Sequence, residues 1–589
     1  MPASRQLAIA VLAALVVCAP PAHATLVDIG AGLTGVQGGC GAWGDYDNDG
    51  DLDLAIVGYS VAGPFGRVYR NDAGTFTPTR VLPAMYGGQV AWGDYDRDGD
   101  LDLGIVGTLQ DLTNIARVLR NQGDTLVTAV TLEGLQDAAL AWGDYDNDGD
   151  LDLATAGYNG TAPVTHVYRN DGGGVFTDAV PGLVGARRAA LAWCDEDRDG
   201  DLDLVVAGST ASWPPSTTLY ANNGAGGFVA SSPFPGVAGA TLRWADWDLD
   251  GDPDLLVDGT GDNYIGKVYR NTAGTFADAG QNLEAMDGCN AAWGDWDGDG
   301  DPDLALGGTT GSIGLSLVYQ NNAGALANAS AGLPGLYDAS VAWGDYDNDG
   351  RLDLFLAGLP NSGSPLSRIY HNTGTAPNTP PSAPSNLSVS VAPTTVTFQW
   401  SAATDTQTPA AALSYHLWVG HTPAAADIVP AMADLATGRG RLPLPGNVGQ
   451  RLSWTMPRAV LPSHVAWGVQ AIDASYAGSA FATHTSEPVA APSSPPPAGV
   501  ALRLAGPNPF AGGVRLACAL DRTRAVRVAV ADVGGRVVRT LADAAWPAGT
   551  HELRWDGDDA HGAAAAAGVY FVRLDAGDAS RTLRVLKLR

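Results

Sequence analysis

Apolar and polar positions along this chain repeat one phrase. A short apolar stretch closes on tryptophan, as in SVAWGDYD (residues 340–347), and an acidic run follows. A second apolar stretch comes next, LDLFLAG in the same unit. A variable polar segment leads to a third run, GRVYRND (66–72) or THVYRND (165–171), and a glycine turn leads to a fourth, such as GTFT (74–77). Each run is of strand length, rich in β-branched and aromatic residues and bounded by Gly or Asn. The acidic runs begin at Asp45, Asp94, Asp144, Asp195, Asp246, Asp295 and Asp345, 49 to 51 residues apart. That period is longer than one hairpin and fits four antiparallel strands per unit. The pattern predicts an all-β chain in which residues 25–374 form a seven-bladed β-propeller, followed by two β-sandwich domains.

The ends of the array predict closure. The seventh unit stops at Tyr370-His371-Asn372-Thr373-Gly374 and lacks a fourth run. The intervals Phe176–Leu183–Trp193 recur as Leu26–Leu33–Trp43, so residues 25–33 are expected to supply the missing strand and remove the exposed edges. One tryptophan stands two residues before each acidic run: Trp43, Trp92, Trp142, Trp193, Trp244, Trp293 and Trp343. They are expected to pack between neighbouring units. Arg70, Arg120, Arg169 and Arg270 of the third run are expected to meet loop carbonyls or carboxylates, with Gln320 and His371 as departures.

Each acidic run reads D-x-D-x-D-G-x-x-D. Position 1 holds the seven Asp residues named above. Position 3 holds Asp47, Asp96, Asp146, Asp197, Asp248, Asp297 and Asp347. Position 5 holds Asp49, Asp98, Asp148, Asp199, Asp250, Asp299 and Asp349. Position 9 holds Asp53, Asp102, Asp152, Asp203, Asp254, Asp303 and Asp353. Position 7 is Asp51, Asp100, Asp150, Asp201, Asp252, Asp301 and then Arg351, as expected where the backbone carbonyl is the ligand. Alternate carboxylates on a tight loop can converge on one ion, and Gly at position 6 permits the turn. Hard oxygen donors without thiolate or imidazole select calcium over zinc or copper. About seven structural Ca²⁺ ions are therefore expected. The loops are not EF-hands: position 12 of the first is Ile56 where a bidentate Glu is required, and a strand-like run follows where a helix would start.

Charge follows from the loops. The chain carries −30 at pH 7, of which the seven loops contribute −32. No basic stripe runs through the repeats, so a nucleic-acid partner is not expected. Residues 1–24 read as a secretory signal, with Arg5, an apolar LAIAVLAALVV core and an Ala22-His23-Ala24 cleavage site. That run is short for a span, so no integral membrane segment is expected and the protein is expected to be secreted or at the cell surface. Cys40, Cys194, Cys289 and Cys518 lie too irregularly for a disulfide framework.

The seven units, with their D-x-D-x-D-G-x-x-D and L-x-G signals, resemble FG-GAP/VCBS repeats, the family of integrin-α-like propellers and of many secreted bacterial proteins. The resemblance implies calcium on one face and ligands on the opposite face or the blade edges. A Pro-rich linker, TAPNTPPSAP (375–384), precedes residues 385–489, which resemble a fibronectin type III sandwich through Trp400, SYHLWVG (414–420) and AWGVQAIDA (466–474). That module is expected to act as a spacer. A second linker (490–499) precedes residues 500–589. There PNPF (507–510), VRVAVADVGGRVVRTL (526–541) and AGVYFVRL (567–574) resemble the FlgD-like immunoglobulin fold and the C-terminal sorting domains of type IX secretion. This implies a contact with secretion machinery.

Function follows as an expectation. The chain reads as an adhesion or binding protein whose propeller recognises an extracellular glycan or protein. Aromatics on the variable loops, chiefly Tyr59, Tyr158, Trp213 and Tyr264, are the candidate ligand-binding residues. The alternatives are a polysaccharide-degrading enzyme on a calcium propeller and a purely structural matrix component. No nucleophile elbow, zinc signature or Ser-His-Asp spacing is visible, so no catalytic residue is assigned.

Overall fold

The computed structural model describes residues 25–485 and 500–588, apart from 124, 212–213, 225, 375–376, 424, 463, 505–509, 511–512, 548, 562 and 578. The signal segment 1–24, the linker 490–499 and Trp213 lie outside the described residues. Among the described residues every element is a strand except the 3-10 turn Arg458–Val460. They divide into two compact units, one ending at residue 489 and the other beginning at 490.

The first unit contains the repeated phrase as four-stranded antiparallel sheets. The fourth repeat is typical: Arg187–Cys194, Asp203–Ser209, Ser216–Asn222 and Phe228–Ser231 pair in that order. Its second strand is buried on both faces, which is why that run is nearly all apolar. The fifth and sixth repeats have the same order. The first three are fused into one ten-stranded sheet. Long strands Thr75–Gly93 and Leu126–Gly143 each end one repeat and begin the next. The seventh repeat takes Leu26–Asp28 as its fourth strand, with Leu26 opposite Asn372 and Asp28 opposite Tyr370. The ends of the array are thus paired as the intervals predicted.

Tryptophan ties each repeat to the one before it. The indole N–H of Trp92 donates to Ala42 O at 3.2 Å, Trp142 to Ala91 O at 3.1 Å and Trp193 to Ala141 O at 3.2 Å. Trp293 and Trp343 continue the series, and Trp43 closes it by donating to Ala342 O of the seventh repeat at 3.3 Å. The ring of such a tryptophan lies on the glycine that follows the tryptophan of the preceding repeat. A Cβ on Gly44 would meet Trp92 at 2.7 Å, and one on Gly344 would meet Trp43 at 2.9 Å. The fourth repeat has Cys194 in the glycine's place, and Trp244 above it is the one indole of the seven whose N–H is buried without an acceptor.

Residues 385–485 form two three-stranded sheets. One pairs Ser385–Val391, Thr395–Ser401 and Ser453–Pro457; the other pairs Ser414–Gly420, Ala466–Ile472 and Ala482–Thr485. Trp400, Tyr415, Leu417, Trp454 and Trp467 fill the space between them. The expectation of a free spacer fails here. This module belongs to the same compact unit as the repeats and lies against their acidic loops. Arg439 donates to Gly50 O at 3.0 Å and Arg441 to Gly99 O at 2.7 Å. Arg451 pairs with Asp195 at 2.9 Å. Ala474 O accepts from Asp295 N–H at 3.0 Å, and Ser475 Oγ donates to Asp295 O at 3.1 Å. The Pro-rich stretch does not hold the two apart either. Asn378 donates its N–H to Gly350 O at 2.8 Å and its Nδ2–H to Asp473 at 2.7 Å. Loop carbonyls and carboxylates gather on one face and attract the arginines and free N–H groups of the module.

The second compact unit has two sheets: Val500–Leu504, Val514–Leu520 and Gly549–Trp555; and Val537–Trp546, Arg524–Asp532, Gly568–Ala576 and Ala579–Lys587. Alternating residues of VRVAV and VYFVRL face a core containing Phe510, Trp555 and Tyr570.

Removing residues 25–35 would leave Leu366–Asn372 as a bare edge strand. The truncated chain is expected to melt at lower temperature in calorimetry and to self-associate in size-exclusion chromatography. An unchanged midpoint would mean that the pairing contributes nothing to closure.

Candidate metal centre

Each acidic loop joins the first strand of a repeat to the second. Its shape comes from two left-handed positions. Gly50 and its six counterparts adopt φ of 82 to 112°, which suits glycine. Position 4 is also left-handed, at φ of 56 to 63° in Asn48, Arg97, Asn147, Arg198, Leu249 and Asn348, and Gly298 takes it in the sixth loop. The turn aims backbone N–H groups inward. In all seven loops the position-6 N–H donates to the position-1 carboxylate.

The position-9 carboxylate is the most enclosed group in the loop. Its seven copies are 0–2% exposed. One oxygen accepts the position-2 N–H at 2.9–3.3 Å. The other accepts the N–H of an asparagine on the third strand at 2.7–2.8 Å. Burial, reinforced by neighbouring carboxylates, pushes these acids upward: Asp53 to about 9, Asp102 to about 8, Asp152 to about 10 and Asp353 to about 9. Position 1 is raised for the same leading reason, Asp45 to about 6 and Asp94 to about 7.

Carboxylate oxygens converge as the sequence predicted. Those of Asp45, Asp47 and Asp53 lie within 4.8 Å of one another, as do those of Asp94, Asp96 and Asp102, and of Asp144, Asp146 and Asp152. In the fourth loop the group is Asp195, Asp197 and Asp199, and the seventh loop brings His371 to Asp347 and Asp349. A fit test for a cation is whether any donor is left over. Asp47, Asp96, Asp146, Asp248 and Asp297, all at position 3, each keep a buried Oδ1 with no hydrogen-bond partner. Leaving such oxygens bare in a crowd of carboxylates is costly, and a hard divalent cation would satisfy them together. Positions 1, 3, 5 and 9 fit that role.

Position 7 has a different task. Asn48 Nδ2 donates to Asp100 of the next loop at 2.7 Å, and Asn147 to Asp201 at 2.8 Å. Arg97 pairs with Asp150 at 3.0 Å and Arg198 with Asp252 at 3.1 Å. Asn348 of the last loop reaches Asp51 of the first at 2.7 Å. Position 4 of one loop therefore clasps position 7 of the next. Sequence reasoning missed this clasp, although Asn or Arg at position 4 of five loops was its signal. It also missed the third-strand asparagine. Asn71, Asn121, Asn170, Asn222, Asn271, Asn321 and Asn372 are 0–6% exposed. Each sends Nδ2 to the position-2 carbonyl of the preceding repeat at 2.6–2.9 Å. The arginines beside them divide. Arg120 and Arg270 pair with loop acids, whereas Arg70 and Arg169 pair with Asp72 and Asp171.

The aromatic candidates lie at the other end of the strands. Tyr59 is the penultimate residue of Asp53–Ser60, is 40% exposed and stacks on Tyr86 with centroids 5.6 Å apart. Tyr158 ends Asp152–Tyr158 beneath the Arg187 guanidinium, 5.0 Å from the ring centroid, and Arg187 pairs with Asp137. Tyr264 begins Tyr264–Thr272 and is 42% exposed.

Comparison with known proteins agrees with this geometry. The family model of the FG-GAP-like repeat matches residues 41–105, 144–206, 195–257 and 295–356. That of the FlgD Ig-like domain matches residues 506–580. No curated protein matches the chain. Among solved structures, a fungal alcohol oxidase of the AA5 family in complex with copper is 11% identical at a TM-score of 0.40, covering 78% of this chain and 98% of its own. PorZ, a surface component of the type-IX secretion system of Porphyromonas gingivalis, is 13% identical at a TM-score of 0.21, covering 95% and 94%. Likenesses this remote carry no argument about chemistry.

The raised carboxylates set a pH dependence for the metal-free protein. Their folded values of about 6 to 10 lie above the ordinary 3.8, so the folded state holds more protons than the unfolded one. The stability they contribute is fully present below pH 4 and is lost as pH rises through 6 to 10. In buffer stripped of divalent ions the melting midpoint is therefore expected to fall between pH 5 and pH 8. A midpoint that rises over that range would contradict the assignment.

Proposed function

We propose that this chain, built of FG-GAP-like repeats with a C-terminal FlgD Ig-like domain, is a secreted or cell-surface binding protein. Residues 25–374 would form a calcium-stabilised seven-bladed propeller. Residues 385–489 would form a sandwich covering its metal face, and 500–589 a module for contact with secretion machinery after removal of the leader 1–24. The recognition face is the end of the repeats opposite the metal loops, and its ligand is an extracellular glycan or protein.

One observation carries this reading. The acidic face is covered by the second module, through Arg439, Arg441, Arg451 and Ser475. The opposite end instead offers the stacked Tyr59–Tyr86 pair, the Tyr158–Arg187 pair and Tyr264. Flat rings backed by a guanidinium suit the apolar faces of sugars or the anchors of a protein partner. The acids of the repeats are mostly held in the loops, which leaves few for acid–base catalysis. No helix among the described residues is long and apolar enough to cross a membrane.

Calcium would be held by positions 1, 3, 5 and 9, with the position-7 carbonyl. Its chemistry here is structural: it neutralises carboxylates that burial alone would protonate. At about 1 mM external calcium and a dissociation constant of about 0.1–1 mM, linkage gives roughly 0.4–1.4 kcal/mol per site, or about 3–10 kcal/mol for seven. Excess chelator at pH 8 is thus expected to lower the melting midpoint markedly. An unchanged midpoint would remove calcium from the account.

Recognition is tested by applying the calcium-loaded chain to a glycan array. Binding that is lost in Tyr59→Ala and Tyr264→Ala, with the melting midpoint kept, is the expected result. A blank array would turn the search to protein partners, and binding that survives both substitutions would rule out this face.

A further inference from the structure

A cavity of about 360 Å³ lies between the acidic-loop face of the repeats and the second module. That size is within the range of small-molecule pockets. Trp92, Trp142, Trp193 and Trp244, one from each of four consecutive repeats, form part of its lining, with Met432 and Leu442 from the module. Most of the polar groups at its edge are already engaged. Trp454 Nε1 donates to Asn147 at 2.9 Å, Arg451 pairs with Asp195, and Arg198 pairs with Asp252.

His416 is an exception, as is the indole N–H of Trp244, which is enclosed and has no acceptor. His416 lies on Ser414–Gly420, lines the cavity and is 4% exposed. The backbone N–H of Met432 donates to its Nε2 at 3.0 Å. Pro430 O lies farther from the same nitrogen, at 3.4 Å; an amide N–H can only donate, so the shorter contact makes Nε2 the acceptor and leaves it unprotonated. Burial pushes the imidazole down to about 4, so the ring is neutral and its single proton sits on Nδ1. Nδ1 has no partner among the described residues. The cavity therefore offers aromatic walls and the His416 Nδ1–H, while the second unpaired donor, the Trp244 indole N–H, is enclosed. Asp144, Asp195 and Asp246 of the metal loops line it together with Arg198 and Arg451, so charges of both signs stand at its edge and no unpaired cation among the described residues is there to hold an anion.

We infer that this cavity is a second binding site, distinct from the outer aromatic face, for a small, flat, neutral and mostly apolar molecule that presents one ketone, ester or ether oxygen to His416. The aromatic walls supply the contact area and the Nδ1–H fixes the orientation. Trp244 gives the wall some adaptability, since its indole is the one not pinned to a neighbouring carbonyl.

The test uses the full calcium-loaded chain and the fluorescent ketone 6-propionyl-2-dimethylaminonaphthalene. Saturable, blue-shifted emission with energy transfer from tryptophan is expected at a stoichiometry of one. His416→Phe should weaken the ketone about tenfold. It should leave the affinity of the ketone-free competitor 2-ethylnaphthalene unchanged. Met432→Trp should fill the space and abolish binding. Should that variant not fold, Leu444→Trp at the exposed edge of the lining should block entry. Absence of saturable emission from the folded chain, or wild-type affinity in a folded tryptophan variant, would overturn the proposal.

Discussion

The position-9 carboxylate is the group on which the rest of the repeat array depends. In the first repeat, Asp53 takes the N–H of Tyr46 on one oxygen and that of Asn71 on the other. Asn71 in turn reaches Leu52 O within its repeat and Tyr346 O in the preceding one. One buried acid thus joins the loop, the third strand and the neighbour. The arrangement creates its own electrostatic problem. A carboxylate with no access to water is stable only when protonated, paired or bound to a cation. Around it stand three more carboxylates with too few donors among them. Demand for a cation and the construction of the array are therefore one constraint.

Much of this was legible in the sequence, because it is written at fixed spacing. Loop positions, repeat length and the closing strand at residues 26–28 all follow from intervals that recur. The asparagines were equally regular and still went unread. An arginine beside a field of acids looks like the better partner, yet Arg70 and Arg169 turn to Asp72 and Asp171. The uncharged neighbour does the joining, since a primary amide can serve two carbonyls at once in a space where an ion would need a counter-charge. Position 4 escaped notice for a related reason. Asn, Arg, Leu and Gly share no chemical class, and what unites them is a left-handed backbone.

The covering of the acidic face was not legible. Arg439, Arg441 and Arg451 sit on loops of a sandwich with no period, and two of them address backbone carbonyls, which leave no trace in sequence. Residues 385–489 read as a spacer because they resemble a fibronectin type III sandwich that follows a Pro-rich stretch. Proline limits the backbone, but it does not prevent a neighbouring asparagine from bonding, and Asn378 bonds to both sides.

The irregular repeats show why the covering module matters. Loop-to-loop clasps run from the seventh loop to the first and on through the fifth. They stop there, because Leu249 and Gly298 have no side chain that can donate. The two junctions left unclasped are those into the sixth and seventh loops. Ala474 and Ser475 of the module hold Asp295 of the sixth loop, and Asn378 of the Pro-rich stretch holds Gly350 of the seventh, in addition to the module's contacts with the first, second and fourth loops. Position 7 of these two loops is satisfied locally. Asp301 of the sixth loop accepts the Ala323 N–H, and Arg351 stands at position 7 of the seventh. That arginine pairs with Asp349 of its own loop at 2.5 Å. The second module and the stretch before it thus bond clasped and unclasped loops alike, which ties their docking to the integrity of the loops they cover.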